Sequence, residues 1–120
     1  MRRDLDLIRK LILAVEDRDA EHWVPEIAIE GYTPQQIGYH SYLIVDAGLA
    51  KGIDVSTLDD MFPNWHLSHL TSAGHDFAAA ARSDSTWSKA TTLVKDKGGG
   101  FTIDIVKQVL VSLVKNSLGL

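Results

Sequence analysis

At 120 residues, 45% apolar and 23% charged, the chain is long enough for one domain with a buried core and lies far from the composition of disordered chains. Twelve Lys and Arg against sixteen Asp and Glu leave a net charge of −4, which argues against a strongly basic nucleic-acid-binding surface. With no cysteine, disulfides, thiolate zinc sites, iron–sulfur clusters and cysteine nucleophiles are excluded. No apolar run reaches the ~18 to 20 residues of a membrane span. Met1-Arg2-Arg3 leads into Asp4 and Asp6 instead of a signal-peptide core, so a cytoplasmic location is expected.

Between Asp4 and Asp17, Leu7, Ile8, Leu11, Ile12 and Val15 recur at the spacing of an amphipathic helix. The partial two-residue alternation ahead of Gly31 predicts a short edge strand over residues 26–30. Thr33-Pro34-Gln35-Gln36 opens the next helix: Thr33 caps it, Pro34 suits its first position and Gln36 completes a capping box. Gly48, free to take a left-handed conformation, ends it. Projected at about 100° per residue, Ile37, His40, Leu43, Ile44 and Ala47 share the inner face, and Gln35, Tyr39, Tyr42 and Asp46 lie opposite.

Leu49 to Val55 and Trp65 to Leu70 read as the strands of a hairpin, with Ser56 to Pro63 as a broad, turn-rich tip. Thr71 caps a helix running to about Arg82, and Asp84 or Ser85 starts another containing Trp87, Ala90 and Val94. Gly98-Gly99-Gly100 reads as a hinge, after which Thr102 caps a last segment, with Phe101 and Val106 placed as a hydrophobic staple. Ile103 to Leu118 is apolar over much of its helical circumference. Its six β-branched residues would suit a strand, but length and capping favour a helix.

Helix, short strand, helix, two-stranded hairpin and further helices is the order of a winged-helix domain. Asp46-Ala47-Gly48-Leu49-Ala50 looks like the end of a winged-helix third helix, and Leu70-Thr71-Ser72-Ala73-Gly74-His75-Asp76-Phe77 looks like the phrase that follows the wing in many bacterial regulators. These phrases join Arg3-Asp4-Leu5-Asp6-Leu7-Ile8-Arg9, Gly31-Tyr32-Thr33, Tyr39-His40, Thr86-Trp87-Ser88-Lys89 and Lys97-Gly98-Gly99. As an ordered set, over nearly the whole chain, they resemble the domain of unknown function 2513 family. The resemblance implies a small winged-helix-like protein, frequent in phages and prophages, and brings no catalytic residue with it. The expected fold is therefore α+β: a winged-helix-like core with following helices over residues 1–97, and a Gly-hinged C-terminal helix of the same single domain over residues 98–120. One departure stands out. An ordinary winged helix has two helices between its first and second strands, whereas residues 31 to 48 hold one.

Two candidate surfaces follow. In the DNA-binding reading the helix over residues 33–48 lies in a major groove, where Gln35 could hydrogen-bond adenine and Tyr39 and Tyr42 could contact bases or phosphates. Its phosphate-contacting rim would be Arg2, Arg3 and Lys51, with Arg9 and Lys10 behind them. The helix stripe itself has no Lys or Arg and includes Asp46, which repels phosphate. Tyrosines also suit a protein interface, where they combine contact area with a hydrogen bond, so a host or phage protein is the alternative partner. The second surface is the last helix, whose wide apolar arc of Val106, Val109, Leu110, Leu113 and Val114 predicts a homodimer.

Five histidines, His22, His40, His66, His69 and His75, invite a metal, but no helical His pair of ligand spacing is present. His66 and His69, three apart in a strand, are expected on opposite faces. His40 is expected in the core, hydrogen-bonded and with its pKa lowered by burial. The chain has no nucleophile elbow, phosphate loop or dinucleotide fingerprint. The expectation is thus a non-enzymatic regulator or adaptor without metal or cofactor, with DNA as its candidate target.

Overall fold

The computed structural model describes residues 1–18, 26–96 and 103–119. Among them are five helices and one two-stranded antiparallel sheet, a mixed α+β fold: α1 (Leu5–Asp17), α2 (Pro34–Asp46), β1 (Ala50–Asp54), β2 (Trp65–Leu70), α3 (Ser72–Ala81), α4 (Asp84–Asp96) and α5 (Ile103–Ser117). The chain divides into two compact units, residues 1–75 and 76–120. His22, the Gly98 to Gly100 hinge, Phe101 and Thr102 lie outside the described residues.

In the first unit, α1 begins where Asp4 turns its carboxylate onto the Leu7 amide, 3.1 Å away, satisfying one of the donors that a helix start leaves open. Its apolar stripe, Leu7, Ile8, Leu11, Ile12 and Val15, is buried, and α1 packs against α2 and β2. Each such aliphatic side chain contributes roughly 1.5–3 kcal/mol relative to exposure. The start of α2 is the expected capping box: Thr33 Oγ1 accepts from the Gln36 amide and Gln36 Oε1 from the Thr33 amide. Gly48 closes the helix at φ +79°.

The buried side of α2 is Ile37, Gly38, His40, Ser41 and Ile44, rotated from the projected face towards the hairpin. Gly38 sets this rotation. A Cβ there would stand 2.0 Å from Asn64 Oδ1, so the absence of a side chain lets the base of the hairpin close on the helix. The obstacle is a side chain that can swing away, so Gly38→Ala is expected to cost only about 1 kcal/mol. The check is a small shift of the urea midpoint with an unchanged slope.

β1 and β2 pair from Ala50↔Leu70 to Asp54↔Trp65 with an irregularity between Lys51 and Gly52 that leaves Ser68 without a counterpart. This bulge corrects the expectation for His66 and His69. They pair with Ile53 and Lys51, two positions of β1 on one face, so the inserted residue cancels the alternation that would have separated them. Leu67 and Leu70 are buried.

The strand expected over residues 26–30 does not form: residues 26–29 belong to no strand, and a turn follows, with the Tyr32 amide donating to Ile29 O. Ile27 lies beside the start of β2 without a ladder. A third strand needs free acceptors on its neighbour. Arg18, just past α1, donates through Nη2 to the carbonyls of Leu67 and Ser68, so a guanidinium takes up the β2 acceptors at the bulge.

In the second unit, Ser83 caps α4 through the Thr86 and Trp87 amides. The Phe77 and Trp87 rings meet edge to face at 6.0 Å. Helices α4 and α5 pack together, and Ala90, Val94, Ile103, Val106 and Leu110 are buried.

Candidate interaction surface

The outer side of α2 carries the four residues expected there. Gln35 and Asp46 are exposed, whereas Tyr39 and Tyr42 are half-buried because aromatic side chains of the hairpin lean on them. The Tyr39 ring meets Phe62 edge to face at 5.5 Å and Tyr42 at 6.0 Å, and Tyr42 meets Trp65 at 6.3 Å. The two tyrosines thus form a ledge under the β1–β2 loop, and part of each ring is committed to it.

That loop is held by its own polar groups. The Val55 amide donates to Asn64 O, and the Ser56 hydroxyl accepts from the Asn64 amide at 2.8 Å. Asp54 Oδ1 accepts from the Ser56 amide, and Asp60 Oδ2 accepts from the Thr57 amide at 2.8 Å while the Asp60 amide donates back to Thr57 O. The bond from Ser56 holds the exposed Asp54 carboxyl below the usual carboxylate range. This network fixes the tip with Leu58 at 105% and Met61 at 84% exposure. Two large apolar side chains are presented to water on a turn that is ordered around them. Between the tip and the start of α2 is an open cavity of about 270 Å³, lined by Pro34, Gln35, Phe62 and Pro63 and edged by Glu26 and Asp60.

No Lys or Arg occurs in residues 33–48 or 52–70, whereas Asp46, Asp54, Asp59 and Asp60 do. The cations expected to rim this surface lie in the segments that flank those two stretches. Lys51 is exposed on β1, opposite His69. Arg2 and Arg3 are exposed ahead of Asp4, and a buried latch fixes where they emerge. His40, 1% exposed, donates from Nδ1 to Gln36 O and accepts at Nε2 from the Asp4 amide, both at 2.8 Å. The Tyr32 hydroxyl donates to the other Asp4 carboxylate oxygen at 3.1 Å, and Lys10 lies 5.5 Å from the Tyr32 ring centre. Burial, more than any neighbouring charge, lowers the His40 pKa, as expected for an imidazole kept neutral in the core.

His75 Nδ1 lies 3.1 Å from Glu16, and among the described residues no group of three or more His, Asp or Glu is arranged to hold a metal ion. Of the residues expected to self-associate, Val106 and Leu110 are interior at 0% exposure, and Val109, Leu113 and Val114 are half-buried. Two of the five are therefore used within the chain, and beside the arc Ile105 and Leu118 are exposed. Sequence reasoning passed over Leu58 and Met61. Their signal was legible, since apolar residues inside a segment otherwise rich in Ser, Thr, Asp, Pro and Asn cannot be buried by the turn that carries them.

Among the described residues, no helix is long and apolar enough to cross a membrane. A family model described as Hypothetical protein (DUF2513) matches residues 2–100. An uncharacterized protein of Haemophilus influenzae (strain ATCC 51907 / DSM 11121 / KW20 / Rd) is 31% identical over 119 residues, covering 98% of this chain and 99% of the relative. No solved structure matches.

Proposed function

Because the chain belongs to the DUF2513 family, a premise that brings no activity with it, we propose a function from the surface itself: a non-enzymatic, winged-helix-like adaptor or regulator that meets a protein through the outer side of α2 and the hairpin tip. One observation carries the reading. The segments that would face a partner hold four aspartates and no cation, yet present Leu58 and Met61 on an ordered turn. Phosphate neutralisation supplies most affinity for nucleic acid, and this surface would repel a phosphate backbone. A protein socket with an apolar floor and basic edges complements it in both respects. A phage or prophage factor docking on a host protein is the form of this reading that fits the family resemblance, and DNA binding through Arg2, Arg3 and Lys51 is the competing one.

A photoreactive phenylalanine analogue at position 61, compared with one at the exposed Lys89 of α4, tests the proposal in living cells. The expected result is an adduct from position 61, absent from position 89, that protease removes and nuclease leaves intact. A nuclease-sensitive adduct, or the same adducts from both positions, would overturn it.

A further inference from the structure

We infer that the partner of the hairpin tip is a second copy of this chain, which receives Leu58 and Met61 on the outer groove of its α5. The inference rests on the tip being a protein-binding knob and names what it binds. On α5, Lys107, Val111 and Lys115 stand at every fourth position and form one line. Gln108, Ser112 and Asn116 form the next, and between them these six residues line a shallow groove of about 380 Å³. Residues 107 to 116 span about 14 Å at 1.5 Å per residue, a length suited to a four-residue turn.

The chemistry of the two surfaces is reciprocal. The groove lining has two ammonium groups and no carboxylate, whereas residues 52–70 have three aspartates, Asp54, Asp59 and Asp60, and no Lys or Arg. Val111 lies midway between the lysines, where an apolar side chain from the tip would sit. Gln108, Ser112 and Asn116 supply donors beside it for the carboxylates. An anionic lipid surface matches the groove but is repelled by the tip, and DNA matches the tip no better. A second copy satisfies both, because each chain carries one tip and one groove. Opposite charge then sets the register of the contact, and the apolar pair supplies the burial.

Charge exchange followed by sedimentation velocity tests this. One variant carries Asp59→Lys with Asp60→Asn, the asparagine keeping an acceptor for the Thr57 amide, and a second carries Lys107→Glu with Lys115→Glu. The wild-type chain is expected to associate as its concentration rises, with the association constant falling about tenfold from low to high salt. Each variant alone is expected to stay monomeric with an unchanged circular dichroism spectrum. Their equimolar mixture, in which both contacts again join opposite charges, is expected to associate as the wild type does. A misfolded variant would not be rescued by mixing. A wild-type chain that stays monomeric at high concentration, or a mixture that stays monomeric while the wild type associates, would overturn the inference. If position 61 still crosslinks to a different protein in that case, the tip remains a protein-binding surface and only the second copy is ruled out.

Discussion

Gly74→Ala is expected to destabilise the chain by about 3 kcal/mol, although alanine is the better helix former by about 1 kcal/mol. Gly74 lies in the first turn of α3, and a Cβ there would stand 1.8 Å from Leu49 O and 2.9 Å from Leu49 C. Unlike Asn64 at Gly38, this obstacle is backbone. It is also pinned, because Leu49 O accepts from the Thr71 amide at 3.0 Å, while the Thr71 hydroxyl donates to Gly48 O at 2.7 Å and accepts from the Gly74 amide. The turn after α2 and the cap of α3 are thus one joint. Making room for a methyl group means parting them. Urea denaturation should show the midpoint of Gly74→Ala far below that of Gly38→Ala, and equal midpoints would show that the joint yields as readily as a side chain.

His40→Leu is expected to cost about 2 kcal/mol at neutral pH, chiefly by leaving the Asp4 amide without its acceptor. The variant also makes a pH prediction. Burial sets the folded-state pKa of His40 below its ordinary value of 6.5, against smaller upward effects from Gln36 O and Asp4 and a downward one from Arg3. The unfolded chain therefore takes up the proton first. The stability contributed by neutral His40 is fully present above pH 6.5 and is lost as the pH falls through that value towards the lower folded-state pKa. Geometry gives the same sign, since a proton on Nε2 would set one donor against another at the Asp4 amide. Thermal unfolding from neutral to mildly acidic pH should show a falling midpoint in the wild type and a flatter one in His40→Leu. Parallel curves would place the acid sensitivity on other groups.

What the sequence revealed and what it hid divide along a physical line. The Thr33 capping box, the Gly48 stop, the stripe of α1 and the core position of His40 depend on neighbours within a few residues, and each was readable before the fold was known. Leu49 and the Thr71-to-Gly74 phrase are separate stretches of sequence, and the joint between them exists only in the fold. The missing strand over residues 26–30 depends on Arg18 reaching β2, nearly fifty residues away. The facing of His66 and His69 depends on one inserted residue in a ladder. The rotation of α2 depends on Asn64 meeting Gly38. No local pattern reports such distant encounters. Gln35, Tyr39, Tyr42 and Asp46 lie on the outer side of α2 as their spacing predicts, yet the hairpin aromatics that half-cover Tyr39 and Tyr42 are visible only with the hairpin in place.

The competing partner class can be addressed most directly by titrating an isotopically labelled chain with random-sequence duplex DNA at low ionic strength and following the backbone amides. The amides of Gln35, Tyr39, Tyr42 and residues 55 to 62 are expected not to move. Salt-sensitive shifts of those amides, abolished by replacing Arg2, Arg3 and Lys51 with alanine, would contradict that expectation.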